Sequence, residues 1–129
     1  MLLLFSLVLL SLCLNNCQSK GYEHGEVLYR NFCSNCHMDD GTGLIGVIPP
    51  LAGADYLAKH QDQLACIIRH GLEGEIVVNG KTYKEPMPGI KKLPEAEIAN
   101  IINYINTAWG NDLPYMTYTQ VQAQLKTCE

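Results

Sequence analysis

The chain has 129 residues, a formal net charge of -4, 47% hydrophobic residues and 17% charged residues. This length fits one ordinary domain, and the composition is that of a packed globule rather than of a disordered polyelectrolyte. Nine Lys and Arg against thirteen Asp and Glu argue against a nucleic-acid partner, because such proteins usually carry a basic surplus.

An apolar leader opens the chain. The run at residues 2–14 is too short to span a bilayer as a helix of ~20 residues, but it suits the apolar region of an export signal. Leu14 and Cys17 are placed as in bacterial lipoprotein signals, in which the cysteine becomes the first residue and carries lipid. Asn16 departs from the small residue usual before that cysteine. We therefore predict an export signal at 1–16, a lipid on Cys17 and a short linker at 17–22; a soluble secreted protein cleaved nearby is the alternative.

Apolar residues at helical spacing predict the first two helices of the mature chain. The face of the first leads directly into Cys33 and consists of Gly25, Leu28, Tyr29 and Phe32. The second is predicted with Asp62 as its N-cap and Gly71 as its C-terminal stop. Its inward residues are Leu64, Ile67 and Ile68.

A hairpin and an irregular loop follow. Asn79-Gly80 separates residues 76–78 from residues 81–83, and Asn-Gly is the strongest short hairpin signal. Residues 85–89, which read EPMPG, are expected to form neither helix nor regular strand.

The last long helix is predicted after Pro94, which is well placed as its first residue. Its apolar stripe consists of Ile98, Ile101, Ile102, Ile105 and Trp109. Beyond it, Val121 and Leu125 indicate a further helical stripe with Thr119 as a possible cap. The chain therefore divides into a domain at 23–110 and a C-terminal extension at 111–129 that we expect to pack on it.

Residues 33–37 read CSNCH, which is the C-x-x-C-H attachment motif for c-type haem. Cys33 and Cys36 at this spacing can reach two carbons on one porphyrin edge, and His37 then lies under the iron as the proximal ligand. A thioredoxin-type pair would need a βαβ pattern around the motif, and a zinc site would need a second ligand pair. Neither pattern is apparent, and one covalently bound haem c is the favoured interpretation.

With these motifs, the chain resembles a small single-haem class I cytochrome c over about residues 22–110. The resemblance implies an all-α fold of three to five helices around the haem, with a small hairpin before the methionine loop. It places Gly25 and Tyr29 on the first helix, and Ile101 and Tyr104 where the family packs an aliphatic and an aromatic residue against that glycine. It also implies that the Pro49 carbonyl accepts the N–H of His37, which orients the imidazole.

The sixth iron ligand is expected to be Met87. Pro86 and Pro88 restrict the backbone on both sides of its sulfur, and the resemblance places the ligand in this loop. The other candidates are Met38, Met116, His24, His60 and His70, and a packing role for Met87 is the alternative reading.

A His/Met-ligated haem implies one-electron transfer and no catalysis by this chain. The partners would be redox proteins, mostly membrane-bound or periplasmic, without a nucleic acid or a small-molecule substrate. One alternative is a cytochrome subunit of a larger oxidoreductase, such as a dehydrogenase or a nitrite or oxygen reductase. Another is a haem-based sensor or peroxidase, which needs a labile or absent Met87 bond.

Two further features bear on partners and stability. Four lysines surround the Met87 loop, either to steer an acidic partner or as ordinary solvated surface: Lys81, Lys84, Lys91 and Lys92. Cys66 and Cys128 would form a disulfide in an oxidising compartment, or else remain as one buried cysteine and one at a frayed end.

Overall fold

The computed structural model describes residues 20–128. The predicted signal at 1–16 and the lipid-bearing Cys17 lie outside these residues. Among residues 20–128, no helix combines the length and the apolar character that crossing a membrane requires.

Helices dominate the described residues, and two small antiparallel sheets accompany them. The helices are α1 (Lys20–Phe32), α2 (Ser34–His37), α3 (Asp55–Lys59), α4 (Leu64–His70), α5 (Glu95–Thr107) and α6 (Tyr118–Leu125). The strands are β1 (Gly71–Leu72), β2 (Ile76–Val78), β3 (Lys81–Tyr83) and β4 (Met87–Pro88), with β1 paired to β4 and β2 to β3. The all-α class is confirmed, with six helical segments of which α2 and α3 have only four and five residues.

The largest contact between helices is that of α1 with α5. A Cβ on Gly25 would meet the carbonyl oxygen of Asn100 and would lie 2.9 Å from the Cβ of Tyr104. The two backbones therefore approach so closely that only glycine fits at this point. Tyr104 lies beside Gly25, as the family resemblance implies, but the group closest to Gly25 is the Asn100 backbone rather than Ile101.

The core contains most of the apolar residues that helical spacing predicts. Leu28 and Tyr29 are buried on α1, and α5 buries four isoleucines: Ile98, Ile101, Ile102 and Ile105. Phe32 differs, because it lies at the end of α1 and is 47% exposed. Trp109 is only partly buried and follows α5 in a short 3₁₀ turn, Ala108–Gly110.

The hairpin is confirmed, and Asn79-Gly80 forms its turn between β2 and β3. Asn79 has φ +51 and Gly80 φ +76, the left-handed values that favour Asn and Gly in such turns. The expectation that residues 85–89 contain no strand is wrong for Met87 and Pro88. Met87 pairs with Leu72, and Pro88 with Gly71, as β4 against β1. Pro88 is tolerated because a two-residue edge strand leaves room for a residue without an N–H.

Three predicted helix starts differ from the structure. Gln63, not Asp62, is the N-cap of α4, and its side chain makes no capping hydrogen bond within the described residues. Pro94 is the N-cap of α5 rather than its first residue. Thr117, not Thr119, caps α6, because Thr117 and Gln120 exchange two hydrogen bonds in a capping box.

The C-terminal extension packs on the domain, as expected. α6 contacts both α4 and α5, and Val121 is fully buried. Asn103 of α5 donates to the Met116 carbonyl oxygen at 2.9 Å and accepts from its N–H at 2.7 Å. Met116 is thereby held in the core.

Candidate haem site

The C-x-x-C-H motif occupies the short turn after α1. Cys33 ends that helix, with its N–H donating to the Tyr29 carbonyl at 2.8 Å, and its own carbonyl accepts from His37 N–H at 2.9 Å. A second short helix, α2, therefore begins directly after Cys33, and Cys33, Cys36 and His37 lie on one helical turn. The hydroxyl of Tyr29 donates to the Met38 carbonyl at 2.6 Å, which fastens the end of α2 to α1.

The two thiols of the motif differ in environment. Both are free among the described residues, with Cys36 exposed and Cys33 half-buried. Burial, and to a smaller extent the neighbouring Cys36, raises the pKa of Cys33 to about 11. Both thiols line the same cleft beside His37.

His37 is a buried, neutral imidazole with a fixed orientation. It is 8% exposed, and its Nδ1 lies 3.2 Å from the Pro49 carbonyl oxygen. A carbonyl oxygen only accepts, so Nδ1 carries the proton and Nε2 keeps its lone pair. Burial lowers the pKa of His37, and the bond to Pro49 offsets part of that effect. The hydrogen bond between His37 and the Pro49 carbonyl is therefore the one that the family resemblance implies.

Met87 is positioned by backbone contacts. The Met87 segment, residues 85–91, pairs with β1, and its Ile90 N–H donates to the Ile68 carbonyl at 2.8 Å. Gly71 has φ +89 and ψ -175, and a Cβ there would collide with the Met87 carbonyl oxygen. A Cβ on Gly89 would lie 2.6 Å from the Arg69 carbonyl oxygen. Two glycines thus allow the segment to lie directly against the end of α4.

His37 and Met87 line the same apolar space. Both side chains line each of two adjoining cavities, whose empty space of about 710 and 960 Å³ includes the parts open to solvent. Both thiols lie at this space, and its walls also include Leu72, Ile76, Tyr83 and Ile90.

The other candidate ligands do not line either cavity. Met38 and Met116 are absent from both walls, and Met116 is in the core, where its sulfur accepts from the Gln124 amide at 3.5 Å. His60 stacks on Tyr56 at 3.8 Å between ring centroids. His24 and His70 are exposed.

An aromatic cluster closes the rear of the site. Tyr29, which lines the smaller cavity, lies 5.0 Å from Trp109 and 5.3 Å from Tyr104 between ring centroids. The indole N–H of Trp109 donates to the Asp39 carbonyl at 3.0 Å, and its ring covers Gly41. The cluster ties the end of α5 to the loop after His37.

Within residues 20–128, the other two cysteines form the disulfide Cys66–Cys128, which joins α4 to the segment after α6. Of the four lysines around the Met87 segment, Lys84 pairs with Glu75 at 3.1 Å. All four are exposed.

Two features of the site were missed in the sequence. One is the role of Gly71 and Gly89 in the close approach of the two backbones, for which the only local signal was Gly89 directly after Pro88. The other is Gln124, whose side-chain amide accepts from the N–H of Ala65 and donates to the carbonyl of Gln61. No local pattern marks a polar contact across 59 residues.

The residues present fit a covalently attached haem. Two free thiols, a neutral imidazole with a free Nε2 and a thioether lie around one apolar space. Cysteine thiols, histidine and methionine are the donor set of c-type haem.

Comparison with known proteins agrees with this donor set. The sequence profile of the family described as "Cytochrome c" matches residues 22–109. Two proteins from Thermus thermophilus named cytochrome c-552 are each 41% identical over 83 residues, or 61% of this chain. The alcohol dehydrogenase (quinone) cytochrome c subunit of Gluconobacter oxydans is 34% identical over 93 residues, or 70% of this chain.

These relatives are longer than the matched region. The match covers 63% and 56% of the two cytochromes c-552, and 19% of the dehydrogenase subunit. The family profile itself covers most of the chain, from the start of α1 to Trp109. The chain therefore belongs to the cytochrome c family, as a class I c-type cytochrome that binds haem c covalently.

Proposed function

We propose that the protein is a one-electron carrier whose haem is attached through Cys33 and Cys36 and ligated by His37 and Met87. The observation that carries this proposal is that both side chains line one apolar space next to both thiols. When bound, the haem supplies a reversible one-electron couple, and thioether ligation favours its ferrous state.

The chain's own residues prepare the two ligands. The Pro49 carbonyl accepts the Nδ1 proton of His37, which would leave the Nε2 lone pair available to bind the haem iron. The lowered pKa of His37 keeps the imidazole neutral at physiological pH. Pairing with β1 fixes the backbone of Met87. If His37 and Met87 both bind the iron, it would have no open position for oxygen or a substrate, and we therefore assign the chain no catalytic reaction of its own.

Absorption spectra of both oxidation states test this proposal. We expect a sharp reduced α-band and, in the oxidised protein, the weak charge-transfer band of an iron–thioether bond. Met87→Ala should abolish the charge-transfer band, whereas Met38→Leu and Met116→Leu should keep it. A wild-type protein that lacks this band, or that binds carbon monoxide when reduced at neutral pH, would instead support a sensor or peroxidase.

The partners are proposed to be redox proteins whose docking is steered by the lysines near the Met87 segment. Lys91 and Lys92 are exposed, and Lys84 forms an ion pair with Glu75. Opposite charges steer association most strongly at low ionic strength. Charge reversal at Lys92 should therefore slow electron transfer at low salt more than reversal at Lys84, and the effect should vanish at high salt. Rates that are independent of salt would exclude steering.

A second candidate is a cytochrome subunit of a larger oxidoreductase. The similarity to the cytochrome c subunit of a quinone alcohol dehydrogenase favours it, at 34% identity. Purification of the native protein under mild conditions distinguishes the two functions. A stoichiometric partner chain indicates a subunit, and a free monomer indicates a shuttle.

Export to the periplasm and a lipid on Cys17 complete the proposal. The apolar run at 2–14 supports export. The linker at 17–22 would hold the haem domain within roughly 20 Å of the bilayer, at ~3.3–3.6 Å per residue. Membrane fractionation and intact mass test the lipid: Cys17→Ala should release the protein to the soluble fraction, and Cys13→Ala should not.

A further inference from the structure

We infer that the C-terminal extension positions the Met87 ligand. Gln124 and the Cys66–Cys128 disulfide fix one end of α4, and the Met87 segment is attached to the other end. This inference rests on the proposed role of Met87 as an iron ligand. The family profile ends at residue 109, so the extension lies beyond the matched region.

Helix α4 depends on its neighbours for order. It has seven residues, whereas helices shorter than ~12–15 residues are marginal in water without tertiary contacts. Its N-cap, Gln63, makes no side-chain capping bond within the described residues. The first turn of α4 therefore needs partners from elsewhere in the chain.

The extension supplies those partners. The side-chain oxygen of Gln124 accepts from the N–H of Ala65 at 3.0 Å, and its amide nitrogen donates to the Gln61 carbonyl at 2.9 Å. Cys128 is joined to Cys66 one residue further along α4. One amide and one covalent bond thus hold the first turn of α4 against α6.

The opposite end of α4 carries the Met87 segment. Ile68 accepts from the Ile90 N–H at 2.8 Å, and the Arg69 guanidinium donates to the Lys91 carbonyl at 2.7 Å. Gly71 continues from α4 into the pairing with Pro88. Every one of these contacts uses a residue in the last turn of α4 or directly after it.

A seven-residue helix is about 10 Å long, at ~1.5 Å per residue, so both sets of contacts act on one short rigid element. Release of its first turn should therefore increase local opening at its last turn, where Met87 is held. The cleft wall should respond as well, because Ile67 and Ile68 of α4 line it.

The test compares two kinds of tail variant in the haem-loaded protein. Cys66→Ser with Cys128→Ser removes the disulfide, and Gln124→Ala removes the amide contacts while the disulfide stays. Tyr118→Phe is the matched control, because its hydroxyl joins the same helix α6 to Glu95 of α5 and not to α4. The readouts are the iron–thioether band and the rate at which imidazole replaces Met87 on the ferric iron.

We expect imidazole replacement to accelerate by roughly tenfold in both α4-directed variants, the factor set by about 1.4 kcal/mol of lost restraint on local opening. Tyr118→Phe should leave the rate unchanged within about twofold of wild type, since it does not act on α4. Should the serine variant fail to fold, Gln124→Ala carries the test.

Rates that follow global stability equally in all three variants would overturn the inference and leave the extension a merely stabilising element. An unchanged rate in the α4-directed variants would overturn it too. The failure of the proposed function is a separate result, because then the wild-type protein itself would lack the iron–thioether band.

Discussion

The cleft side and the rear of the molecule are built by different means. At the rear, α1 crosses α5 at Gly25, and Asn103 of α5 holds Met116 through two buried hydrogen bonds. At the cleft, His37 and Met87 lie on a four-residue helix and a two-residue strand. The rear is held by a close helix crossing and by buried hydrogen bonds of a side chain, and the cleft by backbone contacts at short elements.

This difference separates stability from ligand geometry. Buried side-chain contacts at the rear contribute to global stability, so their loss should lower the free energy of unfolding. The contacts at the cleft restrain a segment with little apolar burial of its own. Their loss should change iron ligation more than it changes global unfolding.

The largest expected effect is at the rear, for Gly25→Ala. Its Cβ would meet the Asn100 carbonyl oxygen and the Cβ of Tyr104, which are backbone or near-backbone atoms that cannot move aside cheaply. We expect a loss of about 3 kcal/mol in the free energy of unfolding, measured by denaturant titration. Asn31→Ala, on the exposed face of the same helix, is the control and should change it little. An equally stable Gly25→Ala protein would contradict the close crossing.

Asn103→Ala should come next, at about 2 kcal/mol, because it leaves the N–H and carbonyl of Met116 buried without partners. Asn103→Asp should retain the bond from the Met116 N–H but lose the donor to its carbonyl, with an intermediate loss. Ala96→Ser, an exposed change on the same helix, serves as the control in thermal unfolding. Equal losses in Asn103→Ala and Ala96→Ser would show that the extension is not held through Asn103.

Gly71→Ala probes the cleft side of the comparison. The backbone at φ +89 and ψ -175 is almost confined to glycine, and a Cβ would collide with the Met87 carbonyl oxygen. We expect about 1 kcal/mol of lost global stability, together with a weakened or absent iron–thioether band. Normal ligation in a strongly destabilised Gly71→Ala protein would reverse the distinction between the two regions.

Local patterns predicted much of the cleft. The spacing of Cys33, Cys36 and His37 identified the attachment turn, and Asn79-Gly80 identified the hairpin. The assignment of Pro49 to the His37 ring agrees with a 3.2 Å contact. The attachment turn and the hairpin could be predicted because each depends on residues a few positions apart, whereas the Pro49 contact was implied by the family resemblance.

The contacts that fix α4 and the extension were not readable in the same way. The Asp62 cap was wrong because the partner for the first turn of α4 is Gln124, 59 residues from Ala65. Met116 is followed in the sequence by Thr117, Thr119 and Gln120, and nothing in that pattern predicts that Asn103 holds it in the core. Polar contacts of this range have no period and no motif, so only the folded chain shows them.

The smallest expected effect concerns Asp55, which joins α3 to the hairpin turn on the exposed surface. Its carboxylate accepts from the Asn79 N–H at 2.7 Å and from Lys59 at 2.9 Å. The Asn79 bond, followed by Lys59, lowers the pKa of Asp55 below its ordinary value. A lowered folded-state pKa stabilises the fold above the unfolded-state pKa, and this contribution is lost as the pH falls through the folded-state pKa.

The stability difference between the wild-type protein and Asp55→Asn should therefore be constant near neutral pH and should shrink on acidification. NMR titration of the Asp55 carboxyl separates its two partners. Lys59→Met should leave most of the pKa depression in place, because the Asn79 N–H is its first cause. A pKa that returns to its ordinary value in Lys59→Met would assign the depression to the exposed ion pair and would leave the hairpin turn without its anchor on α3.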